Sequence, residues 1–440
     1  MMLKKSIPLF LVLSLSLSQL SACTNKDGGN QAAGDAGATV KEQKQEPVDL
    51  YFYSTSGLLN EEDFMKVFGS KIKEKFPHVT PKFIVYGKDT TMDKLMVNNQ
   101  TIDIFFDSMG ATVQKYELEY DISDLIKKNS YDLGRLEPSS VEIQRQIAKG
   151  GIYGFPVFTA APTVYYNKDL FDRFGVPYPK DGMTWDEMFE ISKKMSRTDG
   201  GRQYWGTILS LQHVALLNQF SAPLVDPKTN KSMVATDKFK TVFETFTRFY
   251  SIPGNQPDSK TVAYGKQLEM FEKDQTVAMY LGMSSLGAIR FKNNFNWDVF
   301  AYPEYKEMPG IGPQTYPTYF YVTKTSKAKD QAFQVISYLT SDEMQKHVSR
   351  NGMFPTLKSR DALKEYGKDI DYLKSRNIQG FLPNKFAPPV EATKYQGTAF
   401  THLNAAFTDV LLGTKDVNTA LREAEEKANK DIEADLKNSK

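Results

Sequence analysis

Residues 152–195 read IYGFPVFTAAPTVYYNKDLFDRFGVPYPKDGMTWDEMFEISKKM, and this stretch decides the fold. Ile152 to Phe158 and Thr163 to Tyr166 read as extended segments, separated by the small residues Thr159, Ala160 and Ala161. Lys168 to Phe174 reads as a short helix, and Gly175 stands where a left-handed C′ residue closes a helix. Thr184-Trp185-Asp186-Glu187 is a capping box, with Thr184 as N-cap and Glu187 three residues on. The helix that follows, to Met195, carries Met188, Ile191 and Met195 at helical spacing.

Strand and helix alternate on both sides of this stretch. Upstream, Val48–Tyr53, Pro81–Tyr86 and Ile102–Asp107 read as strands; Glu61–Phe76, Thr91–Asn98, Val113–Glu117 and Ile122–Lys128 read as helices. Downstream, Val277–Gly282, Trp297–Pro303 and Tyr319–Thr323 read as strands. Phe239–Phe249, Lys329–Leu339, Ser341–Arg350 and Val417–Leu436 read as helices. The alternation predicts an α/β fold with a largely parallel sheet. Ligands of such sheets bind at the carboxyl ends of strands, here Tyr53–Gly57 and Asp107–Gly110. There is no internal repeat and no coiled-coil heptad.

Composition bounds the function. The chain has 440 residues, so two or three domains or one large bilobed unit are expected, and 40% hydrophobic residues suffice for a core. With 55 Lys+Arg against 53 Asp+Glu there is no global basic field to attract nucleic acid. One cysteine forms neither an intrachain disulfide nor a cysteine-rich metal site, and the four histidines make no short metal spacing. No cofactor or metal is expected.

The amino terminus accounts for that cysteine. Lys4 and Lys5 precede an apolar run from Ile7 to Leu20, too short for a membrane span and without a stop-transfer pattern, which reads as an export signal. Leu20-Ser21-Ala22-Cys23 resembles the lipobox of bacterial lipoproteins. That resemblance implies cleavage of residues 1–22 and a lipid on the Cys23 sulfur, including a palmitate-type chain, because a thiolate is a good nucleophile. Removal of the signal takes two lysines and no acid, so 55 basic residues fall to 53, equal to the 53 acids. Residues 23–47 carry almost no large apolar side chain and read as a lipidated flexible tether. The chain is therefore expected on the outer face of the cell membrane of a bacterium, of Gram-positive type.

Several motifs in fixed order resemble one family. Tyr153-Gly154-Phe155-Pro156, Tyr166-Asn167-Lys168-Asp169-Leu170-Phe171, Gly175, Pro177 and Thr184-Trp185-Asp186-Glu187 come first. Ala278-Met279, Trp297-Asp298-Val299 with Pro303, Ser326-Lys327 leading to Ala332, Leu339 and Ser341, and Gly352-Met353-Phe354-Pro355 follow. Together they resemble the extracellular solute-binding lipoproteins of sugar-type ABC importers, family 1, to which the maltose-binding protein belongs. The resemblance runs from about Val48 to the C-terminus. A Gly-Gly pair frequent in the family before Ser326-Lys327 is absent; the region reads Gly312-Pro313-Gln314-Thr315-Tyr316.

The resemblance implies a two-lobed periplasmic-binding-protein-like fold of type II, with a hinge between the lobes and the ligand in the interlobe cleft. The N-terminal lobe would comprise 48–157 plus about 308–350, and the C-terminal lobe 158–307 plus about 351–440. Crossovers are expected near Phe155–Val164 and Tyr302–Thr318. The implied partners are a small-molecule ligand, a mono- or oligosaccharide, and the membrane permease of an ABC importer. A monomer is expected.

A neutral sugar needs aromatic platforms and side chains that both donate and accept hydrogen bonds. The loops expected at the cleft offer Tyr53, Ser54 and Ser56; Asp107 and Ser108; Phe158 and Thr159; Trp205 and His213; Met283, Ser284 and Ser285; Tyr316 and Thr318; and Phe354. Each has a structural alternative: Tyr53 facing away from the cleft, the serines shaping a turn, Asp107 capping a helix, His213 packing. Trp205 is the preferred platform, whereas Trp185 and Trp297 read as structural. The position aligned with a cleft carboxylate of the maltose-binding protein is Ala160, so the ligand contacts differ. Thr198-Asp199-Gly200-Gly201 reads as a turn with too few oxygen ligands for calcium.

The enzyme readings fail on spacing. Gly282-Met283-Ser284-Ser285-Leu286-Gly287 misses the G-x-S-x-G elbow by one residue. Gly310-Ile311-Gly312 lacks the third glycine of the dinucleotide fingerprint, and no P-loop is present. A secreted polysaccharide-acting enzyme and an adhesion lipoprotein are the alternatives; a uronate or polyol phosphate is the alternative ligand.

Overall fold

The structure, a computed structural model, describes residues 46–55, 59–108, 111–383, 385–391 and 393–438. The signal peptide, Cys23, most of the expected tether and Ser56 lie outside the described residues. Among the described residues no helix is long and apolar enough to cross a membrane.

Among the described residues twelve strands follow in chain order: β1 Val48–Tyr53, β2 Val79–Ile84, β3 Ile104–Ser108, β4 Gly154–Phe158, β5 Pro162–Asn167, β6 Arg197–Asp199. Then come β7 Arg202–Leu209, β8 Val277–Met283, β9 Trp297–Phe300, β10 Ile311–Gly312, β11 Thr318–Val322 and β12 Lys385–Phe386. They make a five-stranded sheet ordered β2-β1-β3-β11-β4, a second ordered β6-β7-β8-β5-β9, and a two-stranded β10-β12 ladder. The fold is α/β and two-lobed, one large sheet to each lobe.

Both large sheets are mixed, which corrects the expectation of a largely parallel sheet. β1 pairs parallel with β2 and β3, but β11 runs antiparallel to β3 and β4. In the second sheet β7 and β8 are parallel, while β5 runs against both β8 and β9. The cause is the crossing. β5 and β11 each enter their sheet from the other lobe, so they start at the end where the neighbouring strands finish.

The first sheet has apolar residues on both faces because side chains alternate along a strand. Phe52, Phe106, Phe155 and Phe320 face one core, and Tyr53, Phe105, Tyr319 and Tyr321 the other. Phe320 stacks on Phe106 at 4.7 Å between centroids and lies 5.4 Å from Phe68. The second sheet is wrapped by helices around a larger core that includes Tyr165, Trp185, Trp205, Tyr280 and Trp297.

The local signals of the deciding stretch are realised. Asn167 accepts from the Leu170 amide at the start of helix Lys168–Phe174, and Gly175 closes it at φ 63°, a conformation that glycine adopts without strain. Thr184 accepts from the Glu187 amide while the Glu187 carboxylate accepts from the Thr184 amide, so the capping box is complete. Trp185 and Trp297 are buried, and the Trp185 ring N–H donates to Gln219.

Other boundaries move. The second and third strands span Val79–Ile84 and Ile104–Ser108, two residues off the expected spans at most ends. The expected helix Glu61–Phe76 contains a π-helical turn, Met65–Gly69. The β6–β7 hairpin and the helices Pro138–Ile147, Leu211–Leu216, Tyr264–Glu272 and Gln396–Leu411 were not expected. Asp199, the last residue of β6, pairs with Arg173, and no group of three or more His, Cys, Asp or Glu suited to a metal occurs among the described residues.

Candidate functional site

Three segments cross between the lobes side by side. Ala160 and Tyr316 exchange backbone hydrogen bonds of 3.2 and 2.8 Å, and the Thr159 amide donates to the Phe354 carbonyl at 2.9 Å. The third crossing, at Phe354, adds to the two expected from the sequence. Side chains reinforce the bundle: the Thr159 and Thr315 hydroxyls share a bond of 2.7 Å, and the Ala161 amide donates to the Ser284 hydroxyl at 3.1 Å.

Tyr316 projects from the second crossing onto a small apolar cluster of Ala160, Leu217 and Met283. It lines a cavity of about 790 Å³, within the range of about 300–1,000 Å³ usual for small-molecule sites. Ser108, Gln114 and Lys115 approach this cavity from the first lobe, and Leu217, Leu224 and Val225 from the second. Gln314, Val390, Glu391, Thr393 and Gly397 complete the wall. The Gln314 amide group donates to the Asn218 carbonyl and its oxygen accepts from the Val390 amide, which ties crossing and wall together.

A second cavity of about 530 Å³ lies in the second lobe, lined by Ser210, Gln212, His213, Tyr264, Gln267 and Asn404, with the rings of Phe400 and Phe407. The His213 ring meets Tyr316 edge-on at 6.1 Å, so this pair stands between the two cavities. His213 Nδ1 shares a hydrogen bond of 2.8 Å with the Ser210 hydroxyl. Burial pushes the His213 pKa down to about 4, so the imidazole is neutral at neutral pH.

Among the described residues, Lys115, Lys394 and Glu391 carry the charge at the first cavity. Lys394 is paired with Asp435 at 3.1 Å, whereas Lys115 has no carboxylate within 4 Å among the described residues. Burial raises the Asp107 pKa, although its carboxylate accepts from the Thr112 amide at 2.9 Å. Burial also raises that of Tyr316, with Asp107 nearby adding to the shift.

The expected site residues divide. Ser108, His213 and Tyr316 line the cavities, and Met283 packs under Tyr316. Tyr53 is fully buried on the far face of β1, its hydroxyl donating to the Thr90 carbonyl at 2.6 Å, and Ser54 is buried beside it. Asp107 takes the capping role. Phe158 belongs to the first-lobe core beside Phe68 and Phe320. Thr159 and Ser284 spend their hydroxyls on the crossings. Trp205 corrects the preferred platform: it lies in the middle of β7, opposite Val277 at the start of β8, its amide donating to the Thr276 carbonyl, with its ring in the second-lobe core. Phe354 is 1% exposed and stacks on Tyr366 at 4.2 Å, so it is core rather than rim.

Sequence reasoning missed Gln114, Lys115, Gln314, Phe400 and Asn404. Phe400 and Asn404 are four apart on helix Gln396–Leu411, a spacing that would have put them on one face had the helix been recognised.

The model of the family described as bacterial extracellular solute-binding protein matches residues 59–346. Among curated proteins, the sn-glycerol-3-phosphate-binding periplasmic protein UgpB of Rhizobium meliloti is 24% identical over 313 residues, 66% of this chain and 70% of that one. The mannitol-binding protein of Pseudomonas aeruginosa is 25% identical over 42% of this chain and 44% of its own. Among solved structures, an ABC substrate-binding protein from Listeria monocytogenes in complex with cycloalternan superposes with a TM-score of 0.68 at 19% identity, covering 88% of this chain and 99% of that chain.

Proposed function

The chain belongs to the bacterial extracellular solute-binding proteins, and from that premise we propose that it captures a neutral oligosaccharide between its lobes and delivers it to the permease of an ABC importer. The division into 48–157 plus about 308–350 and 158–307 plus about 351–440 carries over with its boundaries moved by a few residues: Phe158 and Leu357 pack in the first-lobe core, and β10 pairs with β12. The protein returns its ligand unchanged and acts as a monomer, held on the outer membrane face of a Gram-positive bacterium by lipid on Cys23.

One observation carries the ligand reading. The His213–Tyr316 pair stands between a largely apolar cavity and one rich in neutral donors and acceptors. Sugars present C–H faces and hydroxyls to such walls. No arginine lines either cavity among the described residues, and His213 is neutral, which supports an uncharged ligand over a phosphorylated one. A chain of several sugar units suits two adjoining cavities better than a single ring does. On this reading the ligand meets Ser108, His213 and Tyr316, together with Gln114, Phe400 and Asn404.

Lys115, without a carboxylate partner, favours a second reading: a polyol phosphate, the ligand class named for the glycerol-phosphate relative. Thermal shift and calorimetry against neutral mono- and oligosaccharides, mannitol and sn-glycerol 3-phosphate separate the two. Stabilisation of about 2.7 kcal/mol is expected at a ligand concentration 100 times Kd. A response to the phosphate alone would refute the oligosaccharide reading, and chemical conversion of the ligand during incubation would refute the binding-only role. Membrane retention of Cys23→Ala would refute the lipid anchor.

A further inference from the structure

A third cavity, of about 350 Å³, shares no lining residue with the two above. Its walls come from both lobes. Leu357 belongs to the first-lobe core, and Leu363 and Leu382 to the second. Thr159 and Pro355, from two of the three crossings, also line it, and Lys385 lies on β12, paired with β10 on the way into the second crossing. A change in the angle between the lobes therefore changes the shape of this cavity.

Its charge is one-sided. Among the described residues, Lys358, Arg360 and Lys385 line it together with one acid, Glu137. The Glu137 carboxylate is already engaged, accepting from the Ser139 and Ser140 amides at 3.1 and 2.9 Å where helix Pro138–Ile147 begins. Neither Lys358 nor Lys385 has a carboxylate within 4 Å among the described residues. Arg360 donates to the Pro383 carbonyl at 3.1 Å, and burial lowers its pKa. The remainder of the wall is mostly apolar, with Leu357, Leu363, Leu382 and Phe386.

We propose that this cavity is an effector site for a small organic anion, whose phosphate or carboxylate head is held by Lys358, Arg360 and Lys385 and whose apolar body rests on Leu363, Leu382 and Phe386. Charge-assisted hydrogen bonds in a partly enclosed site give such an anion its hold. Because both lobes form the wall, the bound anion favours one lobe angle over others, and the affinity of the interlobe cleft changes with it. Binding at this site is independent of the function proposed above; the coupling rests on that reading.

Phenyl phosphate is a suitable probe, with inorganic phosphate and benzyl alcohol isolating its head and body. Calorimetry on the purified protein is expected to show one phenyl phosphate per chain. The double substitution Lys358→Gln and Lys385→Gln should weaken it about tenfold or more, the loss of at least one charge-assisted contact. Lys115→Gln should leave it unchanged. Small-angle scattering without sugar should show a change in radius of gyration on adding phenyl phosphate, absent in the double variant. No saturable binding, equal binding by the double variant, or loss on Lys115→Gln would overturn the site. Binding with an unchanged radius of gyration would overturn the coupling and leave the sugar-binding reading intact.

Discussion

The His213 imidazole meets the Tyr316 ring edge-on, with centroids 6.1 Å apart and planes at 86°. One residue follows the end of β7 and the other lies on a crossing, so the contact joins second lobe to hinge. Burial of the imidazole lowers its pKa and keeps it neutral at neutral pH.

That burial has a pH consequence. The His213 pKa, about 4 in the folded chain, lies below the 6.5 usual for a histidine because the ring is buried. The unfolded chain thus binds the extra proton between these values, and stability falls as pH drops from about 6.5 to about 4. The full contribution, present above that window, is at most about 3 kcal/mol. Melting temperatures of wild type and His213→Gln across this range measure it. The wild-type curve should fall more steeply, and parallel curves would contradict the assignment.

Lys115 distinguishes the ligand classes. Lys115→Gln is expected to change affinity for a neutral oligosaccharide by less than about threefold, since an exposed cation contributes little to an uncharged partner. Tyr316→Ala removes a ring at the partition and should weaken the same ligand by about tenfold or more. Titration calorimetry of both variants with one sugar is the check. The reverse order would favour an anionic ligand.

The capping box at Thr184 should be worth an ordinary amount. Thr184→Ala leaves the Glu187 amide without its acceptor, at a cost of about 1 kcal/mol. Chemical denaturation should show the midpoint shift with an unchanged slope.

Gly206 is constrained by space rather than by backbone angle. A Cβ there would stand 2.2 Å from the Ser192 carbonyl oxygen, a backbone atom with little freedom to yield. Gly206→Ala is expected to destabilise by about 1–3 kcal/mol. A neutral effect in thermal unfolding would mean that the Trp185–Met195 helix shifts away from β7 at no cost.

Legibility followed the range of the interactions. The capping box, Gly175 as C′ and most strands of the first lobe depend on neighbours within a few residues, so they could be read from local pattern. Helix Gln396–Leu411 could not. Its Gly397 and its three threonines, Thr398, Thr401 and Thr408, have low helix propensity and hide the amphipathic face, and packing on helix Val417–Asn438 stabilises it instead. Trp205 is ambiguous for a related reason: a tryptophan on a strand suits a sugar platform or a core equally well until what packs against its face of the sheet is known.

The sequence by itself determined the α/β class, the family and the apolar alternation that builds both cores, because these rest on periodicity and short motifs. Only the tertiary structure decided which polar residues share a cavity. Ser108 and Tyr316 come to one cavity, and His213 and Asn404 to the next, through three chain crossings and a helix packed from the far end of the chain. Such contacts depend on the strand order and on which end of each strand faces the cleft, and neither is written in the spacing of residues along the chain.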